Sequence, residues 1–314
     1  MLQCADVRGG VLKRVVSLSL GSSKRDKTVV VEFDGQSVEV SREGVDGDTE
    51  RFVRRLAELD GTVDAIGFGG MDRYVWSEGR RYEFACAARL LKRAVKTPVL
   101  DGSGLKNTLE RAAVEHLARS GEIDFAHSKT LLVSGVDRFG MGEALAAQGG
   151  DVVFGDLMFG LGVPVALHGI GALRLAAKLL LPVVLRMPLS VLYPTGAKQE
   201  AIVPKHERWY RWADVVAGDF LYIRRHLPTA ESGAMRGKVI LTNTTTEADL
   251  PELRSRGVER VYTTTPLFEG RSFGTNVMEA LLVALGGGDP LDEAGYARWI
   301  ERLGWKPHRI DLVG

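Results

Sequence analysis

Residues 130–156 read TLLVSGVDRFGMGEALAAQGGDVVFGD, an apolar run followed by a glycine-containing turn, a helical stretch and a second apolar run. The first run, 130–135, ends at a glycine, and the second, 151–156, ends at an aspartate. Short apolar runs separated by a helical pattern are typical of neighbouring parallel strands in an α/β sheet. The stretch therefore predicts a strand–helix–strand unit, and similar patterns extend it along the chain in both directions.

The turn of this unit carries glycines at Gly135, Gly140 and Gly142. Backbone N–H groups at a strand-to-helix turn, together with the helix dipole, form a site for anions. Asp156 follows Gly135 by 21 residues, which is the distance at which dinucleotide-binding folds place a carboxylate on the adenosine ribose. The pattern predicts a dinucleotide site that favours NAD over NADP, because no arginine follows Asp156 closely to hold a 2′-phosphate.

A second interpretation of the same turn stays open. The glycine order is G-x4-G-x-G, and Asp137 would lie beside a pyrophosphate, which is unfavourable unless the carboxylate pairs with the adjacent Arg138. In the alternative, the glycines serve only the packing of a helix on a sheet. We take the three glycines, Arg138 and Asp156 as candidate cofactor-binding residues.

Strand and helix patterns alternate along almost the whole chain, which predicts an α/β fold with largely parallel sheets. Two strand patterns, 28–35 and 37–44, are predicted to form a hairpin through an Asp-Gly turn. We predict an N-terminal α/β substrate domain over 1–125 and a C-terminal Rossmann-type doubly wound parallel sheet over 126–290. Residues 291–314 are predicted to form a helix and tail that pack back on the first domain.

Polar residues follow one of the later strand patterns, GKVILTNTTT at 237–246. The carboxyl ends of parallel strands line the crevice that binds ligand in a doubly wound sheet. Asn243 and Thr244 are therefore candidate cofactor contacts on the nicotinamide side. The alternative is that these side chains satisfy local backbone groups in a turn.

The charge balance argues against several classes of partner. There are 41 basic and 40 acidic residues, a net charge of +1, and they are spread without blocks. Such a surface has no field that would attract nucleic acid or an anionic membrane, so neither is expected as a partner. The two cysteines, Cys4 and Cys86, do not form a disulfide framework, and the start of the chain lacks a signal-peptide pattern, which together predict a cytoplasmic protein.

Two further segments carry predictions of secondary structure. The most apolar window, 172–193, is interrupted by charges and prolines and is predicted to be a buried helix followed by a strand rather than a membrane span. Residues 198–212, rich in charged and aromatic side chains, are predicted to be a helix.

Candidate substrate-handling residues lie in the first half of the chain. Lys106, at a strand-to-helix junction with Asp101 and Asn107, would act as a general base if burial lowered its pKa and Asp101 oriented it. The alternative is a solvated lysine in the first turn of a helix. Ser22 and Lys24 would grip a carboxylate substrate, although a tight polar turn explains the same residues. No cluster has the spacing of metal ligands, so no metal is expected.

Three stretches resemble the bacterial quinate/shikimate 5-dehydrogenase-like family. They are VVSLSLGSSKRDK (15–27), TPVLDGSGLKNTLERAAVEHL (97–117) and GRSFGTNVMEALLVAL (270–285). The resemblance implies a substrate domain followed by a Rossmann-type domain, with hydride transfer to a nicotinamide. It also implies a lysine–aspartate pair that handles the alcohol proton, for which Lys106 and Asp101 are the nearest counterparts.

Together these observations predict an NAD(P)-dependent oxidoreductase acting on a secondary alcohol of a small anionic polyol. NAD is the expected cofactor, with NADP less favoured. The alternative is a non-redox Rossmann-like protein, either a transferase using S-adenosylmethionine or another nucleoside ligand, or a non-catalytic nucleotide binder. An acidic residue such as Asp156 serves any of these ligands, so it does not distinguish them. The expected partners are a small-molecule substrate and a possible second copy of the chain.

Overall fold

The computed structural model describes residues 12–188, 202–265, 267–268, 271–272 and 274–313. The chain forms two compact units, and each is discontinuous in sequence. Unit 1 comprises residues 1–74, 83–105 and 274–303, and unit 2 comprises 75–82, 106–273 and 304–314.

The secondary structure alternates as the sequence patterns predict. The strands, in chain order, are β1 Lys13–Ser19, β2 Lys27–Phe33, β3 Gln36–Gly44, β4 Ala65–Gly69, β5 Tyr74–Ser77, β6 Arg80–Glu83, β7 Val99–Leu100, β8 Lys129–Leu132, β9 Asp151–Phe154, β10 Leu167–His168, β11 Val215–Gly218, β12 Val239–Thr242, β13 Arg260–Thr263, β14 Leu267–Phe268, β15 Arg271–Ser272 and β16 His308–Asp311. The α-helices are α1 Thr49–Leu59, α2 Ala85–Leu91, α3 Ser103–Arg119, α4 Phe139–Ala147, α5 Gly169–Val184, α6 Glu207–Trp212, α7 Phe220–Arg225, α8 Leu250–Ser255, α9 Thr275–Leu285 and α10 Glu293–Arg302.

Unit 1 is built on a five-stranded sheet of order β2-β3-β1-β4-β7. Strand β1 runs parallel to β3 and β4, and β4 runs parallel to β7, whereas β2 and β3 are antiparallel. The predicted hairpin between β2 and β3 is confirmed. Its turn residues, Asp34 and Gly35, have φ angles of 53° and 75°, which is the conformation that a tight two-residue hairpin turn requires.

Unit 2 is built on a seven-stranded sheet of order β10-β9-β8-β11-β12-β13-β16. The five inner strands are parallel, and the two edge strands, β10 and β16, are antiparallel to their neighbours. After β8 the chain moves to one side of that strand to form β9, and it later returns to form β11 on the other side. The order therefore reverses between β8 and β11, and open α/β sheets bind ligands outside the carboxyl ends of their strands at such a point.

Both faces of this sheet are covered, because its strands are apolar at successive positions. Leu131 and Val133 belong to a core with Tyr210 of α6 and Ile223 of α7, whereas Leu132 belongs to a core with helices α3, α4 and α5. Strands buried on both sides are typical of parallel sheets. The expected α/β class with parallel sheets is confirmed.

Two segments differ from the sequence-based predictions. The helix predicted over 198–212 is confined, within the described residues, to α6, because residues 202–206 are not helical and His206 adopts a left-handed φ of 58°. Pro204, lacking an N–H, disfavours helix at that point. The window 172–193 is helical in α5 but not fully buried, and the strand predicted after it falls on residues 189–201, outside the described part of the chain.

The two units divide the chain differently from the expected boundaries of 1–125, 126–290 and 291–314. Most of α3 groups with unit 2, whereas α9 and α10 group with unit 1. Helix α9 packs on β1 and β4, both of which belong to unit 1. The tail after α10 enters unit 2, where β16 pairs with β13.

Candidate functional site

A group of charged and polar side chains lies where β8 and β11 diverge in unit 2. We call it the switch-point cluster, and its members are Lys106, Glu110, Asp137, Arg138, Asp219 and Asn243. Asp137 and Arg138 come from the turn between β8 and α4, and Asp219 directly follows β11. Asn243 directly follows β12, and Lys106 and Glu110 lie one helical turn apart on α3.

Arg138 is the centre of this cluster. Its side chain is only 3% exposed, and it donates hydrogen bonds to Glu110, which is fully buried, and to Asp219 Oδ2 at 2.9 Å. The second bond joins the loop after β8 to the loop after β11, across the point where the strand order reverses. A guanidinium held between two carboxylates is stabilised only as long as both partners remain, since an unpaired buried charge is strongly unfavourable.

A second ion pair joins α3 to the same turn. Lys106 Nζ donates to Asp137 Oδ1 at 2.6 Å, and the lysine side chain is only 8% exposed. Asp137, the residue that the sequence placed awkwardly beside a pyrophosphate, is thus paired with Lys106 and lies 3.8 Å from Arg138 Nε. Lys106 is therefore buried rather than solvated, and Asp137 holds its ammonium group.

Asp219 and Asn243 form the solvent-facing side of the cluster. Asn243 Nδ2 donates to Asp219 Oδ2 at 3.0 Å, and Asn243 Oδ1 accepts from the Phe220 backbone N–H at 3.2 Å. Asp219 Oδ1 also accepts from the Leu221 N–H at 2.9 Å, as a cap at the start of α7. The carboxylate keeps 20% of its side-chain surface exposed, so it is held rigidly and still reaches solvent.

Several buried polar atoms at these strand ends have no hydrogen-bond partner within the described structure. They are Ser134 Oγ after β8, Thr264 Oγ1 after β13, and Glu110 Oε2 and Arg138 Nε in the cluster itself. Buried polar atoms in folded proteins are nearly always hydrogen-bonded, so each of these needs a partner such as water or a ligand.

The backbone N–H groups of the glycine turn are hydrogen-bonded by a side chain of the protein itself, that of Asp156. Asp156 accepts hydrogen bonds from the Gly135 N–H at 3.0 Å and the Val136 N–H at 2.7 Å. Burial raises the pKa of Asp156 to about 6, and the two N–H donors partly oppose that rise. The N–H groups that would hold a pyrophosphate are therefore used, and Asp156 does not face a ribose.

The three glycines serve close packing, as the alternative interpretation had it. A Cβ at Gly135 would lie 2.6 Å from the Phe154 ring, and one at Gly142 would lie 3.0 Å from the same ring. A Cβ at Gly140 would overlap the backbone carbonyl oxygen of Asn107 on α3. Asn107 is therefore a packing partner of the turn, and its predicted substrate contact is untested.

The remaining predicted site residues have local roles. Ser22 accepts from the Lys24 N–H at 3.2 Å and caps a short 3-10 helix, which is the polar-turn alternative, and Lys24 is exposed. Thr244 Oγ1 donates to the Thr245 carbonyl at 3.5 Å. Asp101 Oδ2 accepts from the N–H groups of Arg73 and Tyr74 at 2.7 and 2.8 Å.

Sequence reasoning missed a buried carboxyl group in unit 1. Glu279 of α9 is 2% exposed, accepts from the Gly102 N–H at 2.6 Å and is hydrogen-bonded by the Tyr296 hydroxyl. Burial, and then the neighbouring Asp101 carboxylate, raise the pKa of Glu279 to about 7. Its one signal in the sequence is a lone acid in an apolar helical run.

Two surface depressions lie elsewhere. One, of about 480 Å³, is lined in part by His168 and Trp212, and the other, of about 790 Å³, lies against α1 and α2. Neither is lined by the switch-point cluster. In the described part of the chain, no group of three or more histidine, cysteine or acidic side chains is placed to hold a metal ion. No helix there has both the length and the apolar character needed to cross a bilayer.

Two family models match the chain. A domain of unknown function, DUF8754, matches residues 104–312, and a second domain of unknown function, DUF8753, matches residues 14–101. No curated protein matches.

Several solved structures align over most of the chain at low similarity. An ABC transporter solute-binding protein from Bacillus halodurans with bound myo-inositol aligns at 9% identity and TM-score 0.37, over 98% of this chain and 96% of that one. A periplasmic solute-binding protein from Actinobacillus succinogenes with bound D-allose aligns at 10% identity and TM-score 0.39, over 96% and 98%. An NAD-dependent malic enzyme from Thermotoga maritima aligns at 14% identity and TM-score 0.34, over 80% of this chain and 65% of that one.

These findings correct six expectations. The resemblance to quinate/shikimate 5-dehydrogenases is wrong, because the two family models that match the chain, over residues 14–101 and 104–312, are domains of unknown function and not that family. The oxidoreductase function, the dehydrogenase activity, the quinate and shikimate descriptors, and the NAD or NADP cofactor are wrong for the same reason. The physical reason is that Asp156 takes the N–H groups of the turn. The transferase and nucleotide-binder alternatives have no support either.

The expected cytoplasmic location is corrected as well. The structures that align include a solute-binding protein from Actinobacillus succinogenes and a ribose ABC transporter from Conexibacter woesei, both described as periplasmic. The location was inferred from cysteine usage together with the pattern at the start of the sequence, and cysteine usage does not distinguish a disulfide-free protein of one compartment from that of another.

Proposed function

The chain belongs to the DUF8754 family through residues 104–312, and we propose that it binds a small neutral polyol or monosaccharide at the switch-point cluster. The observation that carries the proposal is the Arg138–Asp219 pair. It joins the loop after β8 to the loop after β11, and it leaves Asp219 and Asn243 partly exposed.

The position of the cluster favours a ligand site. In open α/β sheets, small molecules bind outside the carboxyl ends of the strands, where the strand order reverses. In unit 2 that place lies between the loops that carry Arg138 and Asp219. The finer description of unit 2 as a doubly wound sheet of Rossmann type is proposed as a topology only, without a dinucleotide.

The chemistry of the cluster favours hydroxyl groups. Carboxylate and amide oxygens accept from hydroxyls, while an amide N–H and a guanidinium donate to them. Asp219 and Asn243 are fixed by bonds to Arg138, to each other and to the start of α7, so little side-chain freedom is lost on binding. The Ser134 hydroxyl after β8 and Glu110 Oε2 on α3, which lack hydrogen-bond partners in the described structure, are further buried polar atoms of unit 2.

The charge of the cluster disfavours anions. Its two cations, Lys106 and Arg138, face three carboxylates, those of Glu110, Asp137 and Asp219, and both cations are buried beneath their partners. The more exposed charges are the carboxylates of Asp137 and Asp219. A phosphate or carboxylate ligand would therefore meet like charge first, whereas a neutral polyol would not.

Titration calorimetry with the full chain tests the proposal. The panel contains neutral polyols and monosaccharides, such as myo-inositol and D-allose, with quinate and NAD as anionic comparators. We expect saturable heat with at least one neutral ligand and binding of quinate weaker by about tenfold or more. No heat with any neutral polyol would overturn the proposal.

Two matched variants locate the site. Asp219→Asn keeps the shape of the side chain and removes its charge, so we expect a loss of affinity of about ten- to a hundredfold, the range for a hydrogen bond to a charged group. Glu207→Gln, which alters the exposed pair with Arg211 on α6, is the control and should bind as the wild type does. Circular dichroism and thermal melts check that both variants fold.

A further inference from the structure

Helix α5 presents an exposed apolar face. Leu175, Leu179 and Val183 are spaced at i, i+4 and i+8, so they lie on one side of the helix, and each is more than half exposed. The opposite side, with Leu173 and Ala177, is buried against the sheet of unit 2. Large apolar side chains in contiguous exposure mark an interaction surface in a soluble protein.

The charges beside this face that have no ion-pair partner among the described residues are basic. Lys178 and Arg186 flank the three apolar residues, both are exposed, and no carboxylate among the described residues pairs with either. The other base of α5, Arg174, is instead paired with Glu143 at 2.8 Å and lies 3.8 Å from Glu78. From Leu157 to Gln199 the sequence contains no aspartate or glutamate.

We propose that the exposed face of α5, formed by Leu175, Lys178, Leu179 and Val183, docks together with Arg186, which follows the helix, on a lipid bilayer that carries anionic headgroups. An apolar stripe bordered only by basic side chains is the arrangement that lies in a membrane interface, with the apolar residues among the acyl chains and the bases at the headgroups. Lysine and arginine reach the headgroup level by extending their long side chains.

Charge complementarity favours a bilayer over a second copy of this chain. Two copies packed through α5 would bring Lys178 and Arg186 of both copies into one interface, and no acid on α5 offsets them. An anionic lipid surface would attract these basic side chains, whereas a second copy would repel them. The contact is peripheral, so it is compatible with the finding that no described helix is long and apolar enough to cross a bilayer. It departs from the sequence-based expectation that no membrane is a partner, which rested on net charge and on the absence of a span.

Vesicle co-sedimentation of the full chain tests the proposal. The protein is mixed with vesicles of phosphatidylcholine alone or of phosphatidylcholine with phosphatidylglycerol. We expect binding to the anionic vesicles only, weakened by salt. The double variant Lys178→Glu/Arg186→Glu should bind at least about 25-fold more weakly, from about fivefold for each basic residue lost at the surface. Leu175→Gln/Leu179→Gln should also lose binding, even at low salt.

A control variant and a second measurement decide between the outcomes. The control variant Lys92→Glu/Arg93→Glu, at exposed residues of unit 1, changes the net charge by the same amount as Lys178→Glu/Arg186→Glu. It should bind the anionic vesicles as the wild type does. If it lost binding as fully as the α5 variants, the attraction would be unspecific and the proposal overturned. Sedimentation velocity is run on the wild type and the leucine variant. A wild-type dimer that the leucine variant converts to monomer, with no vesicle binding by the wild type, would assign the face to a second copy and overturn the proposal.

Discussion

Glu279 makes the folding stability of the chain depend on pH in a predictable direction. Its carboxyl group is buried in unit 1, where burial and the Asp101 carboxylate raise its pKa from 4.5 to about 7. Because the folded state holds this proton more tightly than the unfolded state, the group stabilises the fold fully below about pH 4.5. That stabilisation is lost as the pH rises through about 7.

The size of the effect follows from the shift. One pKa unit corresponds to 1.36 kcal/mol, so the shift from 4.5 to about 7 corresponds to about 3 kcal/mol in the free energy of unfolding. Glu279→Gln carries the shape of the protonated form at every pH. Its amide oxygen is expected to accept from the Gly102 N–H as the carboxylate does.

Urea unfolding at several pH values and constant ionic strength measures this difference. Between about pH 4.5 and about pH 8, the free energy of unfolding of the wild type should fall by about 3 kcal/mol more than that of Glu279→Gln. Glu50→Gln, at an exposed position of α1, is the control and should follow the wild type. Equal pH dependence in wild type and Glu279→Gln would refute the reasoning.

Two further substitutions test the packing and the ion pairs of unit 2. Gly140→Ala should lower the free energy of unfolding by about 1–3 kcal/mol, because the added methyl group overlaps the backbone carbonyl of Asn107; an unchanged thermal melt would show that the turn has room. Glu110→Ala should cost about 3–5 kcal/mol, since it leaves the buried Arg138 guanidinium with one carboxylate fewer. The double variant Glu110→Ala/Arg138→Met should recover part of that loss in urea unfolding, and no recovery would argue against the pair.

Local sequence patterns predicted most of the strands and helices. The hairpin between β2 and β3 followed from an Asp-Gly pair between two strand patterns. These signals are short-range, because turn conformations and helix ends depend on a few neighbouring residues. They therefore gave the α/β class correctly.

The glycine turn shows why the candidate site could not be predicted in the same way. Its spacing to Asp156 fits a dinucleotide site, yet the carboxylate turns back and takes the Gly135 and Val136 N–H groups itself. Nothing in the spacing distinguishes a carboxylate that faces a ribose from one that closes the turn. Only the three-dimensional position of the side chain decides between the two.

The ion-pair partners of Arg138 could not be predicted from the sequence for a related reason. Glu110 precedes it by 28 residues and Asp219 follows it by 81, and each belongs to a different element of unit 2. Such pairs depend on the strand order of the sheet, which local patterns do not determine. Glu110 does share a helix face with Lys106, and that spacing was the one available signal.

Backbone and side-chain amide NMR during ligand titration tests the central claim most directly. The claim is that the glycine turn is closed by Asp156 and that ligand binds instead at Asp219 and Asn243. With a neutral polyol, the Asn243 side-chain amide and the Phe220 N–H should shift, while the Gly135 and Val136 N–H signals stay in place, and NAD should shift none of them. A saturable shift of the Gly135 and Val136 signals by NAD, with no response at Asn243 to any polyol, would contradict the account.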